Sequence, residues 1–255
     1  MSFNILLVSG HTPGYNACKT TGVNEGDLNV ELVKILYKLL SPYANVTVYP
    51  CERDMYKDIK NGCCKVNLSN YRYIFEVHFN AFNGNARGTS IILHKNYSGG
   101  ISVEQSIIDN VAAFGFKKRG TNGIVRRDDL LNMNTCLRKG IDYALIEVCF
   151  YDSIADMAIY NKNKNGIASG IAKGIIDRFG LDTSKGNSDL VKGTVVGCSA
   201  LNVRSNPNGK TIVGVIAGGS TVYIIGSGKD SDGDTWYKVQ AGSYVGYVWP
   251  KYIAK

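Results

Sequence analysis

Ile74-Phe-Glu-Val-His-Phe-Asn80 is an apolar run carrying one carboxylate and one imidazole, and its reading as a buried strand decides the fold. Similar apolar runs occur at Asn4–Ser9, Val46–Tyr49, Ser90–His94 and Tyr143–Phe150, and the run around residue 78 extends back to Tyr73. Between them lie helical patterns. Asp27–Leu40 places Leu28, Leu32, Ile35, Leu36, Leu39 and Leu40 at a helical period, which Pro42 ends. Val103–Phe114 reads as a second helix. A last helix, about Ile167–Phe179, stops at Gly180, a good C-cap residue. Strands alternating with helices predict an α/β domain over residues 1–180, with a mostly parallel sheet flanked by helices.

The texture changes after Gly180. Residues 181–190 are small, polar and Gly/Ser-bearing, which marks a linker. Residues 191–255 then show short β-branched runs at Thr194–Val196, Thr211–Val215, Thr221–Ile225, Trp236–Val239 and Gly246–Trp249. Asn206-Pro-Asn-Gly209, Gly218-Gly219, Asp230-Ser-Asp-Gly233 and Gly242-Ser243 break them. Short strands without a helical stretch predict a small all-β barrel.

The totals exclude several classes. A chain of 255 residues with 44% hydrophobic and 20% charged content is an ordinary globular sequence, neither disordered nor fibrous. The net charge of +8 favours anionic surroundings, yet no Lys/Arg block is dense enough for a nucleic-acid-binding arm. No stretch approaches the roughly 20 apolar residues of a membrane span. The N-terminus has a short apolar run and no basic region, so it reads as a strand rather than a signal peptide, and production in a cytoplasm is expected. The seven cysteines are odd in number and form no C-x-x-C pair, which argues for free thiols and against a Cys-based metal site.

Histidine is scarce, with only three in the chain. His11 and His78 stand near the carboxyl ends of expected strands, the edge at which open parallel sheets build their sites. Two imidazoles delivered there can share one metal ion. Glu25, where the first helix opens, is the natural third ligand, with Asp27 and Glu31 as fallbacks. Two histidines, a glutamate and an open position make a catalytic zinc arrangement, in which the pKa of bound water falls to about 7. Glu147 lies inside a strongly apolar strand, where an unpaired carboxylate is costly unless it is paired, protonated or functional. It is the candidate proton carrier, base first and acid second.

The segments Gly10-His11, the Glu25 region, His78-Phe-Asn-Ala81, Lys118-Arg-Gly120 and Leu145-Ile-Glu-Val-Cys-Phe150 together resemble the zinc-dependent N-acetylmuramoyl-L-alanine amidases of the amidase-3 class, common in phage endolysins and autolysins. The resemblance covers about residues 1–180. It implies one zinc held by His11, Glu25 and His78, with Glu147 catalytic, and a muramoyl–alanine amide in peptidoglycan as the bond cut. Ala200-Leu-Asn-Val-Arg-Ser-Asn-Pro207, Trp236-Tyr-Lys-Val239 and Gly246-Tyr-Val-Trp-Pro-Lys-Tyr-Ile253 are similar to bacterial SH3 domains. This second resemblance implies an SH3-like barrel that anchors the enzyme to the wall. Peptidoglycan and attached wall polymers are then the partners, and access through a breached membrane suits an endolysin.

Blander readings stand beside these. His11 and His78 can be buried polar residues, and Glu25 can serve a helix N-terminus, whose dipole favours carboxylates. His94 ends a strand but is read as structural or as a rim residue. Glu76 and Asn80 share the face of His78 by strand alternation. Glu76 either orients a ligand or is an ordinary paired carboxylate, and Asn80 is a substrate-lining candidate. Cys149 shares the face of Glu147 by the same rule but lacks a free base. Arg127 is a candidate for binding a substrate carboxylate, against the commoner surface arginine. Trp236, Tyr247 and Trp249 are wall-binding candidates, although at least half of the barrel's aromatics must be core. A zinc peptidase cutting the stem peptide and a non-catalytic wall-binding protein are the rival functions.

Overall fold

The five apolar runs of the first unit become β1 (Asn4–Ser9), β2 (Asn45–Val48), β3 (Tyr73–Asn80), β4 (Ser90–His94) and β6 (Asp142–Phe150), and a sixth strand that the sequence did not announce, β5 (Ile124–Arg127), joins them. A computed structural model describes residues 3–181, 191–241 and 244–255 of the protein, which divides into two units, Met1–Leu181 and Asp182–Lys255. The strand order is β2-β1-β3-β6-β4-β5. Every neighbouring pair is parallel except β4 and β6. The sheet is therefore mostly parallel, as expected, with one antiparallel pairing that makes it mixed.

Alternation along β3 gives the sheet its two faces. Phe75, Val77 and Phe79 pack with Leu7, Ile91 and Ile146 against α1 (Glu25–Leu40), α3 (Ser102–Ala112) and α5 (Ile154–Phe179). Ile74, Leu6, Val8, Tyr143 and Leu145 point the other way, toward α2 (Met55–Lys60) and α4 (Leu131–Arg138), which contribute Met55, Met133 and Cys136. Helices on both faces are what a parallel sheet requires. The two short helices leave the carboxyl end of their face open.

Local chemistry explains where the helices begin. The Asn24 side chain accepts from the Asp27 backbone N–H, so α1 starts at Glu25, two residues before the apolar period. α5 starts at Ile154, well before the expected Ile167. Its first half is Asn/Lys-rich and carries little periodic signal, but the Ser153 hydroxyl accepts from the Asp156 N–H and Met157 and Tyr160 are buried. Tertiary packing makes this half a helix.

Asp156 also ties the loop after β3 to the end of β6. Fully buried, it accepts from the backbone N–H of Gly88 at 2.7 Å and of Phe150 at 3.1 Å, and from Arg87 Nε at 3.0 Å. Removing it strands two buried amides. Asp156→Ala is expected to cost about 3 kcal/mol in urea unfolding; a loss below about 1 kcal/mol would contradict this accounting.

One irregularity changes the sides of the sheet. His78 pairs with Glu147, but Asn80 pairs with Phe150, so β6 carries one extra residue between the two pairings. The bulge reverses the alternation. Cys149 therefore packs with Val148 in the core on the α1/α3/α5 face and does not share the face of Glu147.

The second unit comprises β7 (Val191–Val195), β8 (Ala200–Arg204), β9 (Ile212–Ala217), β10 (Thr221–Lys229), β11 (Thr235–Ala241), β12 (Tyr244–Val248) and β13 (Ile253–Ala254). All pairings are antiparallel, in the order β13-β7-β10-β11-β12-β8-β9. Val195, Val203, Val222, Val239 and Val248 form its core. The five expected runs fall on β7, β9, β10, β11 and β12. Among the described residues the ladder ends at β13 and β9 and does not close, so the expected barrel is an antiparallel sheet folded on a core. The expected linker beyond Leu181 and the Gly242-Ser243 turn lie outside the described residues. Among the described residues, no helix is long and apolar enough to cross a membrane.

Candidate functional site

Three side chains from separate elements converge at the carboxyl end of the sheet. His11 follows β1, Glu25 is the first residue of α1, and His78 lies near the end of β3. One potential ligand atom from each lies within 4.8 Å of the other two. Glu25 stands between the rings: His78 Nδ1 is 3.0 Å from Oε1 and His11 Nε2 is 3.5 Å from Oε2. The imidazoles meet edge to face, with centroids 4.9 Å apart.

The sequence positions these groups by close backbone approach. Gly10 donates its N–H to the Val77 carbonyl, bringing β1 against β3 just before both histidines. A Cβ on Gly10 would lie 2.1 Å from His78 Nε2, so glycine is the residue that leaves room for the ring. A Cβ on Gly26 would lie 1.9 Å from the Thr12 carbonyl oxygen, so the start of α1 also sits hard against the segment after His11. Asn16 Nδ2 donates to Glu25 Oε2 at 3.0 Å and fixes the carboxylate.

The electrostatics follow from burial and pairing. Burial alone would raise the Glu25 and Glu76 pKa values, yet hydrogen bonds and charge from His78 hold both carboxyls below their usual range. Burial likewise opposes charge on His78, but the two carboxylates outweigh it and raise its pKa well above normal. Glu76 Oε1 faces His78 Nε2 at 3.0 Å, while Oε2 accepts from Asn132 Nδ2 at 2.9 Å and the Tyr143 hydroxyl at 2.6 Å. Desolvation lowers the His11 pKa.

Glu147 sits opposite His78 on β6. Its Oε2 is buried without a hydrogen-bond partner, and burial pushes its carboxyl up to about 7. Glu147, His11, His78, Glu76 and Arg127 line one cleft of about 360 Å³, with Tyr15, Asp54, Leu130 and Tyr143 among its other walls. Arg127, at the end of β5, already makes a two-bond pair with Asp129 at 2.8 and 2.6 Å. Asn80 does not line this cleft. It lies past the bulge, where its carbonyl accepts from the Tyr151 N–H. His94 is buried and its Nδ1 accepts from the Asn96 N–H, closing the turn after β4.

Sequence reasoning missed Asp54, Tyr15 and Asn132, which reach the site from loops and short helices with no periodic pattern. In the second unit, Trp236 and Trp249 meet edge to face with centroids 5.0 Å apart. With Arg204 and Tyr252 they line a cleft of about 310 Å³. Trp236 is nevertheless mostly buried, and its Nε1 donates to Asp230 at 2.9 Å. Tyr247 lies outside that cleft, under the Lys238 ammonium at 5.9 Å.

Residues 5–177 match the Amidase_3 family, described as N-acetylmuramoyl-L-alanine amidase, and residues 199–254 match the bacterial SH3 domain. The chain is 28% identical over 179 residues to a protein named probable autolysin PH from Staphylococcus aureus, covering 62% of this chain and 35% of that one. It thus spans about a third of the length of that curated relative. Among solved structures, an N-acetylmuramoyl-L-alanine amidase from Clostridium difficile 630 matches with a TM-score of 0.58 at 21% identity, over 71% of this chain and 98% of the other. The catalytic domain of the CD27L endolysin, which targets Clostridia difficile, matches with a TM-score of 0.53 at 25% identity, over 69% and 97%.

Proposed function

Because the chain belongs to the N-acetylmuramoyl-L-alanine amidase family, we propose that it is an endolysin-like peptidoglycan hydrolase cutting the amide between N-acetylmuramic acid and L-alanine, using one zinc ion. The observation that carries this reading is the convergence of His11, Glu25 and His78, the two histidines lining one cleft with Glu147.

The donor set suits zinc. Two imidazole nitrogens and one carboxylate oxygen are the protein ligands of a catalytic site with an open position. Glu76 on the far nitrogen of His78 supplies the outer carboxylate that orients such ligands. Zinc, when bound, supplies a Lewis acid for the scissile carbonyl and a water activated near neutral pH. Glu147 takes the proton of the attacking water and delivers it to the leaving nitrogen of L-alanine. A group with a pKa of about 7 can do both. Arg127 meets a substrate carboxylate by exchanging Asp129 for it.

In this reading residues 1–180 catalyse, residues 191–255 bind the wall and residues 181–190 connect them. The Trp249 ring and the Arg204 guanidinium in the 310 Å³ cleft are suited to sugar or peptide faces and to anionic wall groups. Deleting the chain beyond residue 185 is expected to leave a folded, zinc-binding domain that pellets poorly with purified walls. Unfolding of that fragment, or unchanged pelleting, would contradict the division.

Mass analysis of digested peptidoglycan tests the bond. Intact stem peptides with a free L-alanine amine support the amidase. Shortened stems still attached to muramic acid would point instead to a peptidase.

A further inference from the structure

We infer that Asp54 is a positioning residue for the metal centre, its carboxylate holding the proton on His11 Nδ1 so that Nε2 faces the ion. This rests on the reading of His11 as a ligand.

An imidazole that gives one nitrogen to a metal carries its proton on the other, and that N–H needs an acceptor. His78 has one, because Nδ1 faces Glu25 and Nε2 faces Glu76 at 3.0 Å. His11 Nε2 faces Glu25, while its Nδ1 is buried and has no hydrogen-bond partner. A buried polar nitrogen left unmatched costs about 1–3 kcal/mol, so the group it faces matters. That group is Asp54 Oδ2, at 4.0 Å. Shortening this to a hydrogen bond takes a shift of about 1 Å.

Asp54 is itself fixed. It is buried at the N-cap of α2, where Oδ1 accepts from the Lys57 backbone N–H at 3.2 Å, leaving Oδ2 directed at His11. Lys57 Nζ lies 3.9 Å from the same Oδ2. The Tyr15 ring stacks on His11 with centroids 4.1 Å apart, which limits how the imidazole can turn. Each histidine would thus be backed by its own carboxylate, Glu76 behind His78 and Asp54 behind His11.

The test is the zinc dissociation constant of the full chain, measured by chelator competition. Asp54→Asn keeps the shape and the helix cap, since Asn caps as well as Asp, but replaces the charged acceptor with a neutral amide. It is expected to weaken zinc binding 10–100-fold while the Tm of the metal-free protein stays unchanged. Glu52→Gln removes an exposed charge two residues away and is expected to leave zinc affinity within twofold of wild type. Unchanged affinity in Asp54→Asn would overturn the inference and reduce Asp54 to a helix cap. A loss matched by Glu52→Gln, or by a fall in the metal-free Tm, would overturn it too. Wild-type protein that binds no zinc would instead remove the ligand reading itself.

Discussion

Glu147→Gln is expected to lower wall-lytic turnover by about 10²–10⁴-fold, the range by which a positioned proton carrier accelerates such reactions, while fold and bound zinc are retained. Glutamine has the same shape, so the cleft keeps its volume. The Glu147 Oε2 has no hydrogen-bond partner to lose, and burial already disfavours its charge. Stability should therefore hold or rise slightly. The amide cannot take a proton from water and give it to the departing nitrogen. Steady-state lysis rates, zinc content and Tm measured on one preparation separate the effects. Lysis within tenfold of wild type would remove Glu147 from the mechanism, and loss of zinc would show that it helps hold the ion.

Gly10→Ala should be nearly as damaging, although residue 10 carries no functional group. The added Cβ would lie 2.1 Å from His78 Nε2 and 2.2 Å from Cε1, well inside contact distance. His78 cannot easily yield, because Glu25 holds one nitrogen and Glu76 the other, and Glu76 is itself held by Asn132 and Tyr143. Either the ring leaves its partners or β1 moves away from β3, breaking the Gly10–Val77 hydrogen bond. The expected result is loss of zinc binding and of lysis, with overpacking costing about 1–3 kcal/mol of stability. An alanine variant that keeps wild-type zinc affinity would show that the ring has room the structure does not suggest.

The convergence of the candidate residues was largely legible because most of them stand at strand ends. β1, β3 and β6 are apolar runs that announce themselves, and a histidine or glutamate set in such a run has few structural excuses. Glu25 was legible through Asn24-Glu-Gly-Asp27, a helix-opening pattern. The outer carboxylates divide instructively. Glu76 is two residues from His78 on the same strand, so alternation places it. Asp54 faces His11 from the N-cap of a six-residue helix with no apolar period, and only the tertiary fold brings them together. The face of Cys149 was misjudged because alternation assumes an unbroken strand, and the extra residue in β6 leaves no mark in residue type. The start of α5 was missed for a similar reason. Its Asn- and Lys-rich first half is helical through the Ser153 cap and the burial of Met157 and Tyr160, neither of which is a periodic signal.

The central claim is that the two histidines and Glu25 make this a metal-driven hydrolase. Metal analysis of the purified chain, paired with lysis before and after chelation, tests it most directly. The expected result is one zinc per chain, loss of lysis when zinc is stripped, and recovery when zinc is returned. A chain that contains no zinc and lyses walls undiminished in the presence of chelator would contradict it.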